Sequence, residues 1–279
     1  MSQSVSQSVS QSVSQSVSQS VSQSENRSAL DLTCQVVSRE RVAAHGEVYT
    51  NAREVNAMLD LIPENACTHT ARYLEPSCGT GNFLVEILAR KLATFDALYL
   101  KTASGKVRKT PLNKNQTDYE ANLVAVTGSL YGIELLADNV ALCRERLLSH
   151  LWTHYVQQFP TSFKGNLLDV LRFVLGKNIV HGDALAFTRQ DAGFAYEAIV
   201  FCEWTLLPDY TVRRSDFRFE GLAMTENTAS ASDKQVINAQ HMDNLFDEDE
   251  MPLVLPKALK HWPPTAYLAL SDMEVNHAA

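Results

Sequence analysis

The stretch Leu74-Glu75-Pro76-Ser77-Cys78-Gly79-Thr80-Gly81-Asn82-Phe83-Leu84 constrains the fold more than any other part of the chain. It reads as the end of a buried strand, a glycine turn and the first turn of a helix. Gly79 and Gly81 carry no Cβ, so the backbone there can take positive φ and a bound molecule can lie directly against it. Apolar Phe83, Leu84, Ile87, Leu88 and Leu92 recur at helical spacing, which predicts a helix over residues 83–92 with its free N-terminus facing the turn. In open α/β sheets ligands lie in the crevice outside the carboxyl ends of the strands, and this turn stands at one such end.

The residues around the turn limit what can bind. A dinucleotide site would carry G-x-G-x-x-G with a pyrophosphate on the helix N-terminus, whereas this chain has only Gly79-x-Gly81, with Glu75 just before it. An acid there repels phosphate and pairs with a cationic amine. The amino-acid moiety of S-adenosylmethionine (SAM) supplies such an amine, so the turn favours SAM over NAD. Two later segments repeat the strand-then-acid pattern. Tyr131-Gly132-Ile133-Glu134-Leu135 reads as a short apolar strand presenting Glu134, placed to accept hydrogen bonds from ribose hydroxyls, and a helix over 138–150 follows. Residues 178–185 read as a third strand ending at Asp183, which can accept from an adenine amine, with His181 as a packing residue at the strand end. A fourth strand over 196–201 leads into Cys202-Glu203-Trp204. Together these predict an α/β fold, a doubly wound and mostly parallel sheet of Rossmann-like type with helices on both faces. Its strands should end near Glu75, Glu134, Asp183 and Cys202, all facing one crevice.

The rest of the chain narrows the partners. Residues 2–21 are five copies of Ser-Gln-Ser-Val, too poor in apolar surface to offset the entropy of ordering, and residues 1–27 read as a disordered tail. A helix over 51–61 precedes the glycine turn, with Val55, Met58, Leu59 and Leu61 on its buried side. No apolar run approaches the roughly 20 residues of a membrane span. The five cysteines are scattered without a C-x-x-C pair, and no charged-then-apolar signal opens the chain, which fits a reducing cytoplasm and gives no reason to expect a metal. The net charge of −8 does not advertise a nucleic-acid binder, so DNA contact must be local or borrowed from a partner. The basic segment is 101–120, with Lys101, Lys106, Arg108, Lys109 and Lys114, read either as a solvated loop or as a contact to nucleic-acid backbone. Beyond Thr205 come an Arg-rich, hairpin-like piece (Arg213, Arg214, Arg218), an acidic run over 247–250 and a Pro-rich end, with no room for a second full domain.

Three acids at strand ends with glycines after the first resemble a class I SAM-dependent methyltransferase. His45-Gly46-Glu47-Val48-Tyr49-Thr50, the glycine turn, Tyr131-Gly132-Ile133-Glu134-Leu135-Leu136 and Val180-His181-Gly182-Asp183-Ala184-Leu185, in that order, resemble the adenine-N6 DNA methyltransferases, especially the modification subunits of type I and related restriction-modification systems. The resemblance covers roughly residues 40–200 and implies a SAM-binding domain over 28–204 followed by an irregular or sheet-continuing extension over 205–279. It implies that Tyr49 and Thr50 border the methionine end of SAM and that Glu75 binds its amino group. Pro76, Cys78, Gly79, Gly81, Asn82 and Phe83 would line the ligand, Glu134 and Leu135 would hold the ribose, and Asp183 and Ala184 the adenine.

Two departures bear on activity. The family continues with Thr-Pro where this chain has Thr50-Asn51, a small loss of rigidity. At the fourth strand the family carries Asn or Asp, two prolines and an aromatic, which direct the target amine and stack on the flipped base. Here stands Phe201-Cys202-Glu203-Trp204, so the catalytic candidates are Glu203 as hydrogen-bond acceptor and Trp204 as stacking platform. The resemblance thus implies methylation of adenine N6 in DNA or, alternatively, a non-catalytic SAM-binding subunit that regulates or assembles with a restriction-modification partner. About 75 residues after Trp204 are scant for target recognition, which implies a specificity or methylase partner subunit.

Overall fold

The computed structural model of the chain describes residues 38–45, 47–63, 68–100, 116–190, 197–220, 234–236 and 254–276. The repeat tail, the five basic residues of the 101–115 segment and the acidic run at 247–250 lie outside the described residues. Two short helices come first, α1 (Arg39–His45) and α2 (Ala52–Leu59). Asn51 caps α2: its side-chain oxygen accepts from the Arg53 and Glu54 N–H groups at 3.0 and 3.2 Å.

Strand β1 (Tyr73–Glu75) ends in the glycine turn and feeds α3 (Asn82–Leu100), longer than expected because the apolar pattern continues past Leu92. Then follow α4 (Gln116–Gly128), β2 (Leu130–Glu134), α5 (Ala137–Gln158), α6 (Asn166–Asn178) and β3 (Ile179–Asp183). β1, β2 and β3 lie side by side and parallel, and the two-residue β4 (Thr188–Arg189) runs antiparallel on the β3 edge. The fold is therefore mixed α/β with a parallel-strand core.

Registration places the three acids. Glu75 lies level with Gly132, and Glu134 level with His181. Glu134 stands two residues beyond Gly132, and Asp183 two beyond His181. Because side chains alternate with a period of two, all three acids project from the same face. Each step adds about 6.6 Å along the strand and about 4.8 Å across, so the acids climb as a staircase, neighbours about 8 Å apart and the ends about 16 Å apart.

The same face, through Leu130 and Ile179, joins one apolar core with α3, α4, α5 and α6. The opposite face departs from the expectation of a second helical layer. There Tyr131, Ile133 and Val180 pack against Ile199, Phe201 and Phe219, which belong to or flank the hairpin of β5 (Val200–Leu206) and β6 (Thr211–Arg218). β5 does not pair beside β1. Its hairpin forms a second sheet with β9 (Lys260–His261) and β10 (Thr265–Ala266), while β7 (Lys234–Val236) and β8 (Val254–Pro256) pair separately. A 3-10 turn (Tyr267–Asp272) and α7 (Met273–Asn276) close the described part.

This arrangement corrects the expected position of the fourth strand. The Cys202 N–H donates to the side-chain oxygen of Asn178, the residue just before β3, and the Tyr131 hydroxyl donates to the Cys202 carbonyl. Arg72, just before β1, ion-pairs with Glu203. Cys202 and its neighbours therefore sit at the amino ends of the strands, not at the carboxyl ends with the three acids. A five-residue strand spans about 13 Å between its first and last Cα, and that is the order of the separation.

Candidate functional site

The glycine turn is built by both flanking elements. The Cys78 N–H donates to the Ile133 carbonyl at 2.9 Å, drawing the turn across the end of β2, and the Gly81 N–H closes it onto Cys78 O at 2.8 Å. Gly79 and Gly81 take φ of +52° and +90°. A Cβ on Gly79 would touch only the Tyr49 ring, at 3.7 Å, whereas one on Gly81 would fall 2.7 Å from Cys143 Sγ. The two glycines thus serve different ends: Gly79 leaves room above the turn, and Gly81 lets the turn settle onto α5.

One stripe of α5 underlies the turn. Asn139, Cys143 and Arg146 recur at intervals of four and three, so they share a helical face. Asn139 donates to Glu47 at 2.6 Å and to Glu134 at 3.4 Å. Cys143 fills the space beneath Gly81. Nη1 of Arg146 donates to the Thr80 carbonyl at 2.7 Å, the Thr80 hydroxyl at 3.1 Å and the Asn82 side-chain oxygen at 2.8 Å. Asn82 in turn donates to the Thr50 carbonyl at 2.9 Å. Sequence reasoning missed Asn139 and Arg146, although the helical spacing they share with Cys143 was the available signal.

The three acids differ in environment. Glu75 is half-buried, accepts from the Ser77 N–H at 3.2 Å, and has its carboxyl pushed above the usual range by burial. Glu134 is 7% exposed: one oxygen accepts from the Gly79 N–H at 2.9 Å, and the other accepts from the Leu136 N–H at 2.9 Å. It therefore ties the second strand end to the turn, and a ligand hydroxyl would use the lone pairs that remain. Asp183 accepts from the Leu185 and Ala186 N–H groups at 2.8 and 3.0 Å, which fixes the bend after β3. Beside them Leu135 and Leu185 stand 48% and 92% exposed, apolar surface at the same ends of β2 and β3. His181 packs at the strand end as expected, its Nε2 2.9 Å from the Leu135 carbonyl. Pro76 is exposed on the turn's outer side, Ala184 packs against the hairpin-side core, and Phe83 packs into the helical core.

The segment before α2 closes over this end. Tyr49 is buried, and its hydroxyl donates to Glu47 at 2.9 Å. Arg41 pairs with Glu47 and, at 2.6 Å, with Asp138. The Arg41 guanidinium, with Asn139 and Tyr49 donating as well, holds the Glu47 carboxyl down at about 2 despite its burial. Asp138 is lowered by the same guanidinium. Arg41 and Glu47 were not among the sequence-predicted site residues; Glu47 was read only as a member of the segment over residues 45–50.

The structure thus brings Tyr49, Thr50, Glu75, Cys78, Gly79, Gly81, Asn82, Glu134, Leu135 and Asp183 to one end of the sheet. It does not bring Glu203 and Trp204 there. Trp204 is 8% exposed, pressed against the Cα of Gly128, edge-on to Phe173 at 6.0 Å and beside the Arg214 guanidinium. Its indole is enclosed by these neighbours, and among the described residues its Nε1 finds no acceptor. A base cannot stack on it in this fold, and Glu203 is held by Arg72 at the same distant end. Among the described residues no cluster of three His, Cys, Asp or Glu side chains could hold a metal ion, and no helix is long and apolar enough to cross a membrane. Comparisons with protein-family models, with curated proteins and with solved structures find no match for this chain.

Proposed function

We propose that the chain is a SAM-binding protein of the DNA adenine-N6 methyltransferase type, with a Rossmann-like, doubly wound ancestry, working beside a restriction-modification partner. The observation that carries this reading is the staircase of Glu75, Glu134 and Asp183 on one sheet face, beginning at a positive-φ glycine turn. It offers, in order, an acid for a cationic amine, an acid for ribose hydroxyls and an acid for an exocyclic amine, with Leu135 and Leu185 as apolar surface for a purine. Phosphate has no place on such a staircase, which again argues against a dinucleotide.

Of the two activities implied by the resemblance, the position of Glu203 and Trp204 favours the non-catalytic one. A methyl donor bound at the carboxyl ends would lie on the order of 13 Å from these residues, and transfer requires reacting atoms at about 3–3.5 Å. The chain then supplies the bound cofactor or senses it, and a partner subunit contacts DNA and completes any transfer. Two measurements test this together. Calorimetric titration with SAM gives one site, weakened in Glu75→Ala and Asp183→Ala and unaffected by NAD. Incubation of the chain alone with tritiated SAM and unmethylated DNA gives no labelled DNA. Transfer by the chain alone that disappears in Glu203→Gln or Trp204→Phe would overturn the non-catalytic reading and restore the enzymatic one.

A further inference from the structure

Asn82 stands at the start of α3 in the middle of the ligand turn, and its side chain faces inward rather than outward. Its oxygen accepts from Arg146 at 2.8 Å and its nitrogen donates to the Thr50 carbonyl at 2.9 Å. The same Arg146 nitrogen also holds the carbonyl and hydroxyl of Thr80. Three separate pieces of chain therefore meet through two side chains: the α5 stripe, the glycine turn and residues 49–50, whose tyrosine ring lies 3.7 Å from the Cβ position of Gly79. The orientation of the Asn82 amide decides whether the last link exists. A nitrogen must face Thr50 and an oxygen must face Arg146; the guanidinium, which can only donate, enforces that choice.

We propose that Arg146 and Asn82 are positioning residues that set the affinity of the site, by holding residues 49–50 over the glycine turn rather than by touching the ligand. This rests on the SAM-binding reading. Asn82→Asp keeps an acceptor for Arg146 but puts a second oxygen against the Thr50 carbonyl, so it cuts the link without removing the turn. Arg146→Met removes the orienting donor, and Arg146→Lys returns a donor with three hydrogens.

The experiment compares these three variants of the full chain with wild type by SAM titration, by amide exchange in the peptide covering residues 47–51, and by thermal unfolding. Loss of one such partly buried hydrogen bond corresponds to up to roughly tenfold in affinity. Asn82→Asp and Arg146→Met are expected to bind SAM more weakly by up to this factor and to exchange faster at 47–51, and Arg146→Lys to recover most of both. Rescue by lysine marks positioning, because a purely space-filling role would favour methionine. Unchanged exchange at 47–51 in Asn82→Asp overturns the proposal, as does weakened binding that lysine fails to rescue. If wild type binds no SAM, the functional reading fails, while the exchange data still decide the link: acceleration supports it and constancy refutes it.

Discussion

Gly81→Ala puts the geometry of the turn to a quantitative test, with Gly79→Ala as its control. At Gly81 the new methyl would lie 2.7 Å from Cys143 Sγ and 3.4 Å from its Cβ, and φ is +90°, outside the range an L-residue adopts comfortably. The backbone contributes roughly 1–3 kcal/mol of strain. Overpacking against a sulfur fixed on α5 contributes another 1–3 or so, giving about 4 kcal/mol in total. At Gly79, φ of +52° lies in the left-handed region, and the methyl would meet only the Tyr49 ring at ordinary contact, so the loss is about 1 kcal/mol. Denaturant unfolding measures both, and in a thermal scan the difference amounts to roughly 10 °C. Adding Cys143→Ala to Gly81→Ala removes the clash but leaves the strain, so a double-mutant cycle should return a coupling of about 2 kcal/mol. A Gly81→Ala protein within 1 kcal/mol of wild type, or a cycle with no coupling, would refute the contact between the turn and α5.

Other substitutions probe other links. Glu134→Ala strips the Gly79 and Leu136 N–H groups of their acceptor and should cost about 2–4 kcal/mol in chemical unfolding, along with SAM affinity. Trp204→Ala should cost about 3–5 kcal/mol while leaving the SAM affinity of the folded protein unchanged, because Trp204 packs between Gly128 and Phe173; a selective loss of affinity would count against its placement. Glu47, whose folded carboxyl is depressed from 4.5 to about 2, contributes stability that is complete above about 4.5 and lost as pH falls toward 2. The contribution is on the order of 2 kcal/mol once the partial exposure of Arg41 is discounted, and the loss of stability over that window should shrink by about this amount in Glu47→Gln, leaving the part that Asp138 and the other lowered carboxyls contribute.

Much of the end of the sheet that carries the glycine turn was legible because its signals are local. An acid at the end of a short apolar run, two glycines and the onset of helical spacing at Phe83 lie within a few residues of one another, and the structure assembles them by registration of three adjacent strands. The position of the fourth strand was not legible. A short apolar run such as Ala198 to Phe201 is compatible with any buried strand; whether it lies beside β1 or across the sheet depends on Tyr131, Ile133 and Phe219, far away in sequence. Trp204 looked like a stacking platform because a strand-end aromatic carries no mark of what will cover it, here Gly128 and Phe173. Likewise Arg214 read only as one of three arginines in a hairpin-like piece, and nothing local showed that it is 4% exposed, paired through two nitrogens with Asp216 and lying beside the rings of Trp204 and Trp262. Arg41, Glu47 and Arg146 share that difficulty, since their partners are brought to them by tertiary structure alone.

The most direct test of the account is amide exchange of the whole chain with and without SAM, followed by mass spectrometry. The account predicts slower exchange in the peptides covering residues 47–51, 75–83, 134–139 and 183–186, and no change across 200–206. Protection confined to 200–206, or none in the peptide carrying Gly79 and Gly81 at saturating SAM, would contradict it.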